Sequence, residues 1–105
     1  MEDDLPIKMK KTGNEITFMI EGVIDLSNVR LFKPKILENV SDEVTNVIVD
    51  ISELKYIDSS GICMLIVIKN QLHNAKKTFA IKSNKTTLKK LFSSGVVEKL
   101  FTIIE

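Results

Sequence analysis

Residues 47–69 constrain the fold most, because a short apolar run is followed there by a polar turn and a long apolar run. Residues 47–49 are β-branched and apolar on both alternating faces, which is typical of a central strand covered on both sides. Residues 61–68 carry no charge and the pattern continues to Leu72, a length that favours a deeply packed helix. Cys63 lies within this run, so we expect it to be a small core residue.

The polar turn between the two runs contains Asp58, Ser59, Ser60 and Gly61. Short polar side chains at the start of a helix accept hydrogen bonds from its first backbone amides, so Asp58 or Ser59 is the predicted N-cap. Ser60 then falls in the first turn, where free N–H groups and the helix dipole favour an added phosphate. On spacing alone, the simpler explanation is that both serines only cap the helix.

The chain before this segment predicts a hairpin followed by a helix. Residues 7–11 and 16–21 have strand patterns and are joined by turn-forming residues. Ser27 or Asn28 is a candidate N-cap for the helix that follows. Pro34 falls inside the helix and removes a backbone hydrogen bond, so we expect a kink or a late start. The inward positions of this helix are predicted to be Val29, Phe32, Ile36, Leu37 and Val40.

The second half of the chain alternates between helix and strand. The helix after the polar turn is expected to end near Asn74, because asparagine tolerates the left-handed conformation of a helix end. After a further strand, Ser83 or Asn84 would cap a third helix that Gly95 ends, and residues 100–104 would form the last strand. The predicted order, β-β-α-β-α-β-α-β, indicates an α/β fold with a mixed sheet.

Composition narrows the classes of partner. A chain of 105 residues with a formal charge of +1 predicts one domain and provides no strong field for nucleic acid or an anionic membrane. Its single cysteine cannot form a disulfide within the chain, which suits a reducing cytoplasm. The acidic start differs from a secretion signal and no apolar run is long enough to span a membrane, so we expect a cytoplasmic protein without membrane insertion.

An enzyme that uses Ser59 or Ser60 as its nucleophile is a further possibility, and the sequence disfavours it. The surroundings of Ser59 and Ser60 do not form a nucleophile elbow. The only histidine, His73, lies about 20 Å away along the helix at about 1.5 Å per residue. No cluster of histidines and carboxylates indicates a metal site or a cofactor. We therefore expect a protein that is not an enzyme.

Three ordered motifs carry a resemblance over nearly the whole chain: EGVID at residues 21–25, VIVDISELKYIDSSG at 47–61 and LKKLFSSGVVEKLFTI at 88–103. Together they resemble the anti-sigma factor antagonist family, the stand-alone STAS domains. The resemblance implies that residues 1–105 form a single STAS domain. It also implies the STAS fold, an α/β fold whose mixed sheet of four to five strands has its helices mainly on one side.

The resemblance also implies a function and its residues. In the family, the serine directly before the loop glycine is phosphorylated by a partner kinase that is also the anti-sigma factor, and that position here is Ser60. Asp25, Asp58, Ser59 and Gly61 match the other partner-binding positions. The unphosphorylated protein would bind this kinase and release a sigma factor, and a phosphoserine phosphatase would restore binding after phosphorylation. The protein itself would be a monomer or a weak dimer.

A different function fits the same fold. The resemblance extends to STAS subunits of lipid or anion transport systems, which pack on a transporter ATPase or a membrane component. The many apolar residues of the second helix, including Met64, Val67 and Ile68, would suit such a contact. In that alternative the loop serine need not be phosphorylated.

Overall fold

The computed structural model describes residues 5–92 and 95–105. In chain order the elements are β1 (Ile7–Thr12), β2 (Glu15–Ile20), β3 (Gly22–Ile24), α1 (Val29–Leu37), β4 (Asn46–Asp50), β5 (Leu54–Ile57), α2 (Ser59–Asn74), β6 (Thr78–Lys82), α3 (Lys85–Leu91), α4 (Val96–Leu100) and β7 (Thr102–Ile104).

The main sheet has five strands in the order β1-β2-β4-β6-β7. Only β1 is antiparallel to its neighbour, and the other pairs are parallel, so the predicted mixed sheet is confirmed. The helices lie on one side of this sheet, as predicted. A second, two-stranded sheet forms where β3 pairs in parallel with β5. Neither β3 nor β5 was predicted, because strands of three and four residues are too short to show a period.

The predicted hairpin and central strand are both present. Gly13 adopts φ +60° in the turn between β1 and β2, a conformation that glycine permits without steric cost. β4 lies between β2 and β6, and its Val47 and Val49 side chains are buried under the helices. Ile48 on the opposite face is only half-buried, so the prediction of two covered faces was wrong for a sheet with helices on one side.

Helix α1 begins at Val29 and contains Pro34, so a late start is not observed. Asn28 occupies the N-cap position, but its side chain makes no capping hydrogen bond to the helix. Its amide instead accepts from the backbone N–H of Asp25 and donates to the carbonyl of Val23, which fixes the turn from β3 into α1. Of the predicted inward positions, two are fully buried and three pack partly on the core: Phe32 and Ile36, then Val29, Leu37 and Val40.

Helix α2 ends at Asn74 as predicted, although the left-handed residue that follows is Lys76, with φ 63°. Its core side is formed by Gly61, Met64, Leu65, Ile68 and Leu72. Cys63 is exposed, so its predicted place in the core was wrong. It shares a face with Val67, also exposed, because positions four residues apart lie one above the other and this face points away from the sheet.

The end of the chain departs furthest from prediction. Asn84, one of the two predicted N-caps, caps α3, with its Oδ1 accepting from the Thr87 N–H at 2.8 Å. Gly95 does not end this helix, because α3 already stops at Leu91 and Gly95 immediately precedes α4. Leu100 is the last residue of α4, so the final strand begins at residue 102 rather than 100. Two apolar residues of α3 and the residue after it pack partly on the core: Leu88, Leu91 and Phe92.

Candidate functional site

The short β3–β5 pair brings two distant loops to one place. Ile24 and Ile57 are register partners in this parallel pair, so the next residues, Asp25 and Asp58, leave the two strands at the same edge. The backbone N–H of Asp58 donates to the carbonyl of Ile24 at 3.1 Å, which continues the pairing beyond the last strand residue. The structure therefore places the two predicted acidic residues in adjacent loops.

Asp58 is the centre of the hydrogen bonds in this region. Its Oδ1 accepts from the backbone N–H of Gly61 at 3.1 Å, which caps α2. The same oxygen accepts from Ser60 Oγ at 2.5 Å. Its Oδ2 accepts from the backbone N–H of Leu26 at 3.1 Å, and Leu26 belongs to the loop after β3. One carboxylate thus holds the start of α2, the Ser60 hydroxyl and the neighbouring loop together.

These contacts explain the charge state of Asp58. The hydrogen bond from the Ser60 hydroxyl is the main cause that lowers the pKa of Asp58 below its ordinary value. Partial burial opposes this effect, while backbone N–H groups, including those of Gly61 and Leu26, lower the pKa further. The carboxylate is therefore ionised at neutral pH. A proton would weaken each of these hydrogen bonds.

We expect Asp58→Ala to lower Tm by a few degrees at neutral pH, because the helix cap and the link to Leu26 are both lost. Since the folded-state pKa of Asp58 is depressed, its stabilisation is complete above the unfolded pKa of about 3.9 and disappears as pH falls through the folded pKa. Thermal unfolding as a function of pH measures this, with Glu53→Ala at an exposed carboxylate as the control. A Tm difference between wild type and Asp58→Ala that did not change with acidity would contradict the assignment.

The two serines have different environments. Ser59 is exposed on the first turn of α2, whereas Ser60 is half-buried and its hydroxyl donates to Asp58. Asp58, and not Ser59, is the N-cap, which resolves the two candidates for that position. Because the Ser60 hydrogen points to Asp58, the lone pairs of Oγ remain available.

Asp25 has a more local set of contacts. Its Oδ1 accepts from the backbone N–H of Ser27 at 3.0 Å and from Ser27 Oγ at 2.5 Å. Aspartate commonly stabilises turns by accepting from the backbone two residues ahead. The half-buried Asp25 therefore shapes the loop that contains Leu26, next to Asp58.

Gly61 is required by close packing. A Cβ atom at this position would lie 2.6 Å from Ile57 Cγ1 and 2.9 Å from Ile24 Cγ2. Both isoleucines are buried at the end of the β3–β5 pair. The absence of a side chain on Gly61 thus lets α2 approach these strands and places Ser60 beside Asp58.

Exposed apolar side chains lie on the two strands and the loop that lead to the site, and the sequence analysis did not single them out. Leu26 is 76% exposed and Tyr56 is 51% exposed. Val23 is the register partner of Tyr56 and is also exposed. The available signal was Leu26, an apolar residue between Asp25 and Ser27 in an otherwise polar loop. We call Val23, Leu26 and Tyr56 the apolar rim of the site.

In the part of the chain that the structure describes, there is little support for a histidine acting with Ser60 or for a metal site. His73 lies in the last turn of α2, at the opposite end from Ser60, and is exposed. Within residues 5–92 and 95–105, no group of three or more histidine, cysteine or acidic side chains is placed to hold a metal ion. Among the same residues, no helix combines the length and apolar character needed to cross a membrane.

Comparison with known proteins identifies the fold. The family model described as STAS domain matches residues 6–105. An anti-sigma factor antagonist from Mycobacterium paratuberculosis superposes with a TM-score of 0.78 at 16% identity, over 96% of this chain and 86% of that one. The unphosphorylated form of the Bacillus anti-sigma factor antagonist SpoIIAA gives a TM-score of 0.69 at 19% identity, over 94% of this chain and 87% of its own. No curated protein matches the sequence significantly.

The same fold also occurs as a small part of larger proteins. The murine anion transporter Slc26a9 matches with a TM-score of 0.66 at 12% identity, over 90% of this chain. The chain spans 16% of the transporter's length, and it spans 19% of the length of Mglu, a further structure with this fold. Similarity at these identities concerns the fold alone.

Proposed function

Because the chain belongs to the STAS domain family, we propose that it is an anti-sigma factor antagonist controlled by phosphorylation of Ser60. In its unphosphorylated form it binds an anti-sigma factor that is also a serine kinase, and this binding releases a sigma factor. Phosphorylation ends the binding, and a phosphoserine phosphatase restores it. The protein acts in the cytoplasm as a single domain, monomeric or weakly dimeric, and it is a binding protein rather than an enzyme.

The observation that carries this proposal is the contact between Ser60 Oγ and the Asp58 carboxylate. Through its bond to the Leu26 N–H, Asp58 also orders the loop that contains Asp25. A change at one hydroxyl therefore affects both loops at this edge of the β3–β5 pair. The binding surface comprises these loops, Ser59 and the apolar rim, and buried Gly61 contributes by positioning Ser60 within it.

Phosphorylation would change this region through charge. The γ-phosphoryl group of ATP is transferred to Ser60 Oγ, the new P–O bond replaces the bond to ADP, and the hydroxyl proton is released. The resulting phosphoserine carries a charge of about −1.5 to −2 at pH 7. The Ser60 oxygen can no longer donate to Asp58, and the added charge repels that ionised carboxylate. A partner complementary to the unmodified site would then meet a larger and more negative surface.

A pull-down from the native cell lysate tests the function, with wild type, Ser60→Ala and Ser60→Asp as baits and mass spectrometry as the readout. We expect wild type and Ser60→Ala to capture an ATP-binding anti-sigma kinase that Ser60→Asp does not capture. Equal capture of that kinase by Ser60→Ala and Ser60→Asp would refute the switch.

The apolar rim gives a separate prediction. We expect Leu26→Ser to weaken binding of the kinase by about tenfold or more, because burying an exposed leucine contributes about 1.5–3 kcal/mol. The unfolding free energy should change little, since Leu26 is 76% exposed in the free protein. Isothermal titration with the purified partner measures the effect, and Met9→Ser on β1 is a control at another exposed apolar residue. Equal losses of binding affinity for Leu26→Ser and Met9→Ser would mean that the kinase does not bind specifically at Leu26.

The alternative function is that of a STAS subunit in a lipid or anion transport system. It is favoured by the exposure of Cys63 and Val67 on α2, which leaves apolar surface beside Ser60 for a transporter ATPase or a membrane component. In the same pull-down, capture of a transporter subunit equally by all three baits would support this alternative.

A further inference from the structure

An open groove of about 550 Å³ lies between α1 and α2, and Ser60 is one of its lining residues. Four residues of α2 line it, Ser60, Cys63, Met64 and Val67. Ser60, Cys63 and Val67 share one helix face. Arg30 and Lys33 lie on the α1 wall, where a spacing of three residues also places them on a common face. The same groove therefore contains the serine and two cationic side chains from another helix.

The charges in the groove are unbalanced. Arg30 and Lys33 line it, and none of its lining residues within 5–92 and 95–105 is acidic. In the described part of the chain, neither cation has a carboxylate partner within salt-bridge distance, since the ion pair found there joins Lys11 to Glu43. Arg30 Nη1 makes one hydrogen bond, to the carbonyl of Ser27 at 3.3 Å. A guanidinium has five N–H donors, so most of them remain available for an anion.

Phosphorylation would turn the Ser60 side chain away from its present partner. The hydroxyl donates to Asp58 now, but a phosphate ester oxygen has no hydrogen to donate. A phosphate and an ionised carboxylate repel one another at such short range, which favours a rotamer that separates them. Ser60 lines the groove together with Arg30 and Lys33, so a phosphate turned into the groove would meet positive charge.

We propose that Arg30 and Lys33 bind the phosphate of phosphorylated Ser60 within the same chain and so link α1 to α2 across the groove. The inference rests on phosphorylation of Ser60 in the proposed function, but it does not depend on which protein is the kinase or the partner. Arginine and lysine are well suited to phosphate oxygens, arginine through paired hydrogen bonds. This link covers the part of the groove next to Cys63. Phosphorylation therefore makes apolar surface inaccessible to a partner and also adds charge.

Phosphorus NMR on the phosphorylated protein tests the proposal directly. The phosphoprotein is made by inserting phosphoserine at position 60 during translation, so neither the kinase nor the partner is needed. Titration with pH gives the second pKa of the phosphate, which is about 6 for an unperturbed phosphoserine. Two nearby cations stabilise the dianion, so we expect this pKa to be lower by about one pH unit or more than in Arg30→Gln/Lys33→Gln.

Controls separate this pairing from general charge effects. Lys35→Gln removes a cation from α1 that does not line the groove, and it should leave the phosphate pKa close to that of wild type. Asp58 is unchanged in every variant, so the phosphoproteins compared differ only in the cations of α1. Arg30→Lys should retain part of the lowering of the phosphate pKa. Equal pKa values in wild type and the double variant would overturn the proposal, whereas failure to find a kinase partner would overturn only the proposed function.

Discussion

Gly61→Val is expected to lower the free energy of unfolding by about 2–3 kcal/mol, the largest loss of stability that a single change at this site should cause. The first added carbon alone would lie 2.6 Å from Ile57 Cγ1 and 2.9 Å from Ile24 Cγ2. Both neighbours are buried, so they can move only by disturbing the core. The higher helix propensity of residues other than glycine offsets less than about 1 kcal/mol of this cost.

Urea unfolding followed by circular dichroism measures the effect, and Gly95→Ala is a matched control. Among the described residues that are not its chain neighbours, the nearest atom to a Cβ at Gly95 would be Glu98 Oε1 at 3.9 Å, an ordinary contact with a flexible side chain. We expect this control to change stability by less than about 0.5 kcal/mol. If Gly61→Val were as stable as wild type, the close approach of α2 to the β3–β5 pair would not be the reason for glycine at this position.

The sequence predicted the elements whose patterns are local and repeated. The alternation of Ile16, Phe18 and Ile20 identified β2, and the length of the apolar run after Gly61 identified α2. Asp58 was one of two cap candidates because its residue type and place before the helix are themselves the signal. These features depend on neighbours along the chain, so one sequence is sufficient to find them.

Features that depend on distant contacts were not predicted. β3 and β5 are strands only because they pair with each other, and Gly22 is more than thirty positions from its partner Leu54. Cys63 is apolar in type and lies in an apolar run, but its exposure follows from which face of α2 the sheet covers. Gly95 has the residue type of a helix end, yet the chain turns there into a further helix.

In the candidate site as well, local features were predicted and features that depend on distant contacts were not. The motif located Asp58, Ser60 and Gly61, which the structure joins by hydrogen bonds and close packing. The bond from the Leu26 N–H to Asp58 spans 32 positions and has no local pattern. The position of Arg30 across the groove from Ser60 depends equally on how α1 packs on α2. The sequence could therefore indicate the serine, while its charged and apolar surroundings required the fold.

Ser60→Asp is expected to raise the Kd for the anti-sigma kinase by more than about a hundredfold, which corresponds to about 3 kcal/mol. The reason is that a carboxylate at this position adds negative charge beside ionised Asp58, and a like-charge contact in a docking interface costs several kcal/mol. Ser60→Ala should change Kd by less than about threefold, because Asp58 keeps its bonds to the Gly61 and Leu26 amides. Titration calorimetry with the purified kinase measures Kd for wild type, Ser60→Ala and Ser60→Asp.

Ser59→Asp is the most informative control, because it adds the same charge one residue away. Ser59 is exposed, whereas Ser60 is half-buried and donates to Asp58. Successive helical residues point about 100° apart at 3.6 residues per turn, so the new charge would not face that carboxylate. A smaller loss of affinity for Ser59→Asp than for Ser60→Asp would assign the switch to the geometry at Ser60. Equal losses would mean that the partner responds only to the net charge of the loop, and the Ser60–Asp58 contact would then have no special role.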